Sequence, residues 1–138
     1  MAVWLYPLSG KSGHGFVDSA GTHRPASFDA IRQAVIARRF PSPARWSCAQ
    51  NGGRVERGDE LFLYTGEGDV GIFAAGTVLG AQRVDGAGWL LTWKLDLRRT
   101  RRLLENPVPA PKVRKHVHPR VTVRDFATGA RALRRSLE

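Results

Sequence analysis

The sequence has little cysteine, few acidic residues and no long apolar run. Its single cysteine, Cys48, cannot form an internal disulfide, and no leader of the signal-peptide type opens the chain. Both absences are typical of the reducing cytoplasm, which is where we expect the protein. A membrane-spanning helix needs about 18 apolar residues in a row, and none occurs. A membrane surface is also not indicated, because no basic helix carries large apolar residues.

Acidic residues number 12 against 22 lysines and arginines, which leaves a formal net charge of +10 over 138 residues. The excess lies mainly in the last third of the chain, where arginine outnumbers lysine. A basic surface favours a polyanionic partner, and arginine suits bidentate contacts with phosphate. Nucleic acid binding is therefore the first hypothesis, and a merely solvated basic surface is the alternative. The phosphate-binding residues that we expect are Lys11, Arg45, Arg98, Arg99, Arg101, Arg102, Lys112, Arg114 and Lys115.

The length fits a single domain over residues 1–138 with one hydrophobic core. Apolar alternation predicts strands at residues 3–6, 60–65, 72–79 and 89–97, with one more short strand at 121–123. Helical spacing predicts a helix that begins after an N-cap at Ser27 and ends before Phe40, and a terminal helical turn or two at residues 130–137. Together these elements predict an α+β domain, a small β-barrel of about five or six strands flanked by helices.

No motif for catalysis, metal or cofactor binding stands out. Gly10-Lys11-Ser12 resembles the end of a phosphate-binding loop, but Leu5 occupies the position where that loop needs its first glycine. The histidines lack the spacing of zinc ligands, and no nucleophile signature accompanies them. We therefore expect no catalytic residue, no metal and no cofactor. A small hydrolase that uses His14 or His116 is the remaining enzymatic alternative.

Trp46 is the aromatic residue that the pattern does not explain. Most other large aromatics lie inside apolar strands and are expected in the core. Trp46 instead lies in the polar run ARWSCAQN, which we interpret as a loop. An accessible tryptophan stacks on nucleobases, and a neighbouring hydroxyl or amide can recognise the base edge. From the residues alone, a base-binding pocket and a plug at the end of the barrel are both open.

The order of these motifs resembles an EVE domain of the PUA-like superfamily, the relatives of YTH domains. The resemblance covers nearly the whole chain and rests on WLY near the N-terminus, the Trp-Ser pair, the run RGDELFLYTGEGDVGIFAAGTV, the Asn-Pro at 106–107 and the Thr-Gly at 128–129. It implies a PUA-like barrel with a pocket that accepts a modified base. By resemblance, Trp46 and Ser47 form a pocket wall and a polar contact, and Tyr6 and Tyr64 are further pocket residues.

The resulting hypothesis is a reader module, without enzymatic activity, that holds a flipped or unpaired base such as a methylated cytosine or adenine. The partner is DNA or RNA, and a separately encoded nuclease or modifying enzyme is a further possible partner. A general RNA-binding module of the PUA type, with no recognition of modified bases, is the alternative.

Overall fold

A computed structural model describes residues 2–8, 15–17, 23–25, 28–41, 43–48, 52–66, 70–83, 88–114 and 124–137. Eight strands occur in these ranges. They are β1 (Val3–Leu8), β2 (Gly15–Val17), β3 (His23–Pro25), β4 (Ala44–Cys48), β5 (Glu60–Thr65), β6 (Gly71–Arg83), β7 (Trp89–Leu95) and β8 (Arg124–Asp125).

All of these strands belong to one mixed sheet with the order β3-β2-β4-β7-β6-β5-β1-β8. The five longer strands, from β4 to β1, form its centre, and the three short strands extend its edges. β1 and β5 are parallel, whereas the other neighbours are antiparallel. Within the described residues no pairing joins β3 to β8. The predicted α+β class is therefore confirmed, and closure into a barrel is not.

The helices are α1 (Phe28–Ile36), α2 (Leu97–Glu105), α3 (Ala110–Arg114), α4 (Ala127–Ala132) and α5 (Arg134–Leu137), with a 3₁₀ turn at Gly52–Arg54. The end of α1 has an unusual residue. The Arg39 N–H donates to the Ala34 carbonyl at 2.8 Å and the Arg38 N–H to Val35 at 3.1 Å, while Arg38 has a φ of 56°. These are the bonds of a Schellman cap, in which glycine usually takes the left-handed position that arginine occupies here.

Two hydrophobic cores lie on opposite faces of the sheet. The first contains Trp4, Tyr6 and Leu8 of β1 and the apolar side of α1, and the second contains Leu5 of β1 and the helices of the C-terminal part. Successive residues of a strand point to opposite faces, so β1 contributes to both. The sheet is therefore covered on each side, which differs from the single core that the length predicts.

Most predicted elements are confirmed, with small changes at their ends. The strand predicted at 60–65 is β5, those at 72–79 and 89–97 are β6 and β7, and the predicted N-terminal helix is α1. The first strand runs through Pro7 to Leu8; β8 pairs only with Trp4 and Leu5, so Pro7 needs no donor on that side. The predicted N-cap Ser27 and the strand at 121–123 lie outside the described residues.

Candidate nucleic-acid interface

Trp46 lies in strand β4, so its interpretation as a loop residue was wrong. Its side chain is fully buried, with 0% of its surface exposed. The ring packs edge-on against Tyr6 at 5.1 Å between centroids and against Trp93 at 5.2 Å. In β4 the buried Ala44 and Trp46 alternate with the half-buried Arg45. This alternation is short and includes polar residues, so it is not evident in the sequence. The structure thus brings Tyr6 and Trp46 together inside the first core.

Trp93 of β7 completes this aromatic cluster, which we define as Tyr6, Trp46 and Trp93. Phe40, which follows α1, packs on Trp93 with 5.6 Å between centroids. Within the described residues, the buried Trp93 indole N–H has no hydrogen-bond acceptor. A buried donor left unpaired costs about 1–3 kcal/mol, so such groups are rare in folded proteins. Trp93 was predicted only as a core residue, and no sequence signal indicates this unpaired donor.

Tyr64 is not part of the aromatic cluster. In the parallel pairing of β1 with β5, Tyr6 is opposite Leu63 and Pro7 is opposite Tyr64. Residues that are opposite in register share a face, so Tyr64 is one residue out of phase with Tyr6. Tyr64 accordingly packs in the second core, on the other side of the sheet. The structure does not place it with Trp46, in contrast to the pocket that the resemblance implies.

Helix α2 presents a row of arginines to solvent. Arg98, Arg101 and Arg102 are exposed at positions i, i+3 and i+4, and we call these three the α2 basic face. Thr100 and Leu103 are buried on the opposite side of the helix. Within the described part of the chain, the α2 basic face forms no ion pair with an acidic side chain. Three of the predicted phosphate-binding residues therefore lie side by side on one accessible surface.

The start of α2 is fixed to the middle of β6. The Thr100 hydroxyl accepts the Ala75 N–H and donates to the Ala75 carbonyl, each at 3.1 Å, in a buried position. The Asp96 N–H donates to the same carbonyl at 2.8 Å, and the Asp96 carboxylate caps the helix by accepting the Arg99 N–H at 3.1 Å. These contacts hold the helix rigidly on the sheet, so the orientation of its exposed face is set by the fold.

Arg99, predicted as a phosphate ligand, is engaged within the protein. Its guanidinium donates to the Leu137 carbonyl through Nη2 at 2.9 Å and through Nε at 3.3 Å. It also lies 5.0 Å above the Phe62 ring and 3.9 Å from the Glu60 carboxylate. Arg99 thus ties α5 and β5 to α2, and it is only partly accessible to a ligand.

A polar cleft of about 510 Å³ opens between α2, α3 and the end of α5. We call it the α2–α3 cleft. Its polar lining residues are Arg99, Arg102, Glu105, Asn106 and Lys112, and Leu137 lies in the same lining. Arg102 belongs both to this cleft and to the α2 basic face. The sequence predicts the cations here, but their convergence with an amide and a carboxylate depends on the turn between the two helices.

Asp59 is a buried carboxylate that the sequence suggests only as a turn residue. One oxygen accepts the Trp4 indole N–H at 2.9 Å and the Glu56 N–H at 2.8 Å, and the other accepts the Ala2 N–H at 3.0 Å. Burial raises the pKa of Asp59, but the hydrogen bonds from Glu56, Trp4 and Ala2 outweigh it, so the pKa lies below its ordinary value. Asp59 is therefore an ionised anchor for the first strand.

The other predicted site residues are only partly described. Arg45 is half-buried in β4, Ser47 lies in β4 and Arg114 ends α3, whereas Lys11 and Lys115 lie outside the described residues. So do His14 and His116, on which the enzymatic alternative depends. In the part of the chain that the structure describes, no group of histidine, cysteine and acidic side chains is arranged to hold a metal ion. Nor is any helix there long and apolar enough to cross a membrane.

The chain matches no protein-family model, and no curated protein or solved structure is significantly similar to it. The resemblance to EVE domains therefore stays a prediction.

Proposed function

We propose that this protein is a nucleic-acid-binding module in which the α2 basic face contacts phosphates and the aromatic cluster holds an unpaired or flipped base. The α2 basic face is the observation that carries the proposal. Neighbouring side chains on one face of a helix lie about 5–6 Å apart, and here three of them are guanidiniums on a helix that is fixed to the sheet. A rigid row of cations suits an extended polyanion better than a small isolated anion.

The aromatic cluster supports the base-binding half of the proposal. Tyr6, Trp46 and Trp93 are aromatic rings on which a base would stack once the cluster opens, and the Trp93 indole N–H is a donor that a base carbonyl or ring nitrogen would satisfy. Stacking contributes about 1–3 kcal/mol per base, which offsets an extrusion cost of a few kcal/mol. A buried methyl group adds only about 0.8 kcal/mol, roughly fourfold in affinity, so selectivity for a modified base would be modest. Because Trp46 is fully buried, a base reaches it only when the cluster opens.

That burial favours the second candidate, a general RNA-binding module of the PUA type. Such a module binds through shape and charge, and Trp46 serves only as packing. The two candidates share the α2 basic face and differ in whether the aromatic cluster meets the ligand.

The proposal includes membership of the EVE group, with the sheet curved toward a small barrel. Irregular register at Leu63/Tyr64 and at Val78/Gly80 supports such curvature, because bulges bend and twist strands. It also includes a separately encoded nuclease or modifying enzyme as a partner that would act on the bound nucleic acid.

The phosphate contacts are tested by titrating DNA and RNA oligonucleotides against the protein at several salt concentrations. The double variant Arg98→Gln/Arg101→Gln should weaken binding at low salt and reduce the slope of log K against log[salt] by about 1.4 to 1.8, since each lost contact with a phosphate removes about 0.7 to 0.9. The control Arg57→Gln/Arg83→Gln removes the same charge from exposed positions outside α2, and its slope should stay close to that of the wild type. Equal losses in both variants would show that only net charge matters.

The base pocket is tested by tryptophan fluorescence with oligonucleotides that carry unmodified or methylated cytosine or adenine. Trp46→Phe keeps an aromatic ring in the core, so the fold should survive. Ligand-induced quenching that is present in the wild type and reduced in Trp46→Phe, together with tighter binding of one modified base, supports the reader. Binding that is unchanged by Trp46→Phe and by methylation supports the general RNA-binding module instead.

A further inference from the structure

The α2–α3 cleft differs in chemistry from the α2 basic face. Arg102 and Lys112 supply two exposed cations, but Glu105 and Asn106 lie in the same lining. A carboxylate repels an internal phosphate of a nucleic-acid strand, so the cleft is poorly suited to the backbone alone. Cations together with a carboxylate and an amide suit a ligand that combines a phosphate with hydrogen-bond donors, such as sugar hydroxyls or a base amino group.

The size and wall of the cleft agree with such a ligand. Its volume of about 510 Å³ lies within the range of roughly 300–1,000 Å³ for small-molecule sites, which is more than a phosphate ion needs. The partly accessible Arg99 is held at one side by the Leu137 carbonyl and the Phe62 ring. Its position is therefore preset before any ligand arrives.

The turn between α2 and α3 is also held in place. Val108 exchanges two backbone hydrogen bonds with Ile72 of β6, each at 3.0 Å, and the Asn106 N–H donates to the Arg102 carbonyl at 3.0 Å. Gly71, with a φ of 92°, allows this close approach, because a Cβ at that position would collide with the Val108 carbonyl oxygen. A turn anchored in this way keeps Asn106 and Lys112 in a constant relation to α2.

We propose that the α2–α3 cleft binds one nucleotide through its phosphate, with Arg102 and Lys112 on the phosphate and Glu105 on a hydroxyl or amino group. The nucleotide is either the phosphorylated end of a strand or a free mononucleotide. The strand-end form rests on the proposed function, because Arg102 then continues the α2 basic face into the cleft.

Calorimetric titrations with nucleoside 5′- and 3′-monophosphates and with inorganic phosphate, at constant ionic strength, test the site itself. Arg102→Gln and Lys112→Gln should each weaken mononucleotide binding by about tenfold or more, since a hydrogen bond to a charged group contributes about 1.5–3 kcal/mol. Arg83→Gln, at the exposed end of β6 and outside both the cleft lining and the α2 basic face, is the control and should leave mononucleotide binding unchanged. All three side chains are exposed, so these variants should fold like the wild type.

Glu105→Gln separates a nucleotide site from a simple anion site. Removing the negative charge should tighten the binding of inorganic phosphate. The affinity for mononucleotides should increase less, because their hydroxyl or amino group loses a charged acceptor. Equal gains for both ligands would refute the role of Glu105. Wild-type binding of inorganic phosphate as tight as that of mononucleotides would overturn the nucleotide site altogether.

Oligonucleotides with 5′-phosphate, 3′-phosphate or hydroxyl ends then identify the source of the nucleotide. Tighter binding of one phosphorylated end, lost in Lys112→Gln, supports the strand end; mononucleotide binding without an end effect supports a free nucleotide. If mononucleotides do not bind and end phosphates have no effect, the cleft proposal fails even though long strands bind. If mononucleotides bind and long strands do not, the proposed function fails and the cleft remains.

Discussion

Replacing Asp59 with asparagine should destabilise the fold by about 2–4 kcal/mol at neutral pH. The Asp59 carboxylate accepts three hydrogen bonds, two on one oxygen and one on the other. Asparagine keeps a single acceptor oxygen and places an amino group where the second oxygen was, so at least one of the three donors loses its acceptor. A hydrogen bond to a charged group contributes about 1.5–3 kcal/mol, and the bonds that remain lose their charge assistance.

The same variant should also reduce the dependence of the unfolding free energy on acidic pH. Because the pKa of folded Asp59 is lowered, its carboxylate stabilises the fold fully above the unfolded value of about 3.9. That stabilisation is lost as the pH falls through the lower pKa of the folded state. The difference in unfolding free energy between the wild type and Asp59→Asn should therefore shrink over this acidic window.

Urea denaturation at pH 7 and at several acidic pH values measures this difference in unfolding free energy. The contributions of the other titrating groups cancel, because both proteins contain them. Asp96→Asn is the matched control, because asparagine caps a helix about as well as aspartate, and it should cost little. A difference between the wild type and Asp59→Asn that stays constant from pH 7 into the acidic range would refute the assignment of Asp59 as an ionised anchor.

Three further changes have expected outcomes in thermal or urea unfolding. Arg38→Gly should stabilise the protein by about 0.5–1 kcal/mol, because glycine adopts the left-handed position after α1 without steric strain; a loss of stability would contradict this. Thr100→Val should cost about 1–3 kcal/mol by leaving the buried Ala75 N–H without an acceptor, whereas Thr100→Ser should retain most of the stability. Gly71→Ala should destabilise far more than Gly58→Ala: both glycines have positive φ, but only Gly71 faces a backbone collision. Similar losses of stability at the two glycines would show that the positive φ, and not the backbone collision, causes the destabilisation.

Local patterns were sufficient for the elements with strong periodicity. The apolar runs of β5, β6 and β7 and the helical spacing of α1 were recognised because each element buries a regular set of its own residues. β4 was missed, since its two buried residues alternate with polar neighbours over only five positions. The arginine cluster was recognised as charge, but its division into an exposed row and an internal tie at Arg99 follows from the helical phase of α2.

The sequence by itself determined the basic character of the protein, the apolar strands at its centre and the position of its arginines and lysines along the chain, because these depend on composition and on short-range periodicity. Only the tertiary structure decided that Trp46 is buried with Tyr6 and Trp93, that Tyr64 lies on the opposite face, and that Arg102, Glu105 and Lys112 line one cleft. The physical reason is register. A shift of one residue between β1 and β5 would exchange the two faces, and that pairing joins residues more than fifty positions apart.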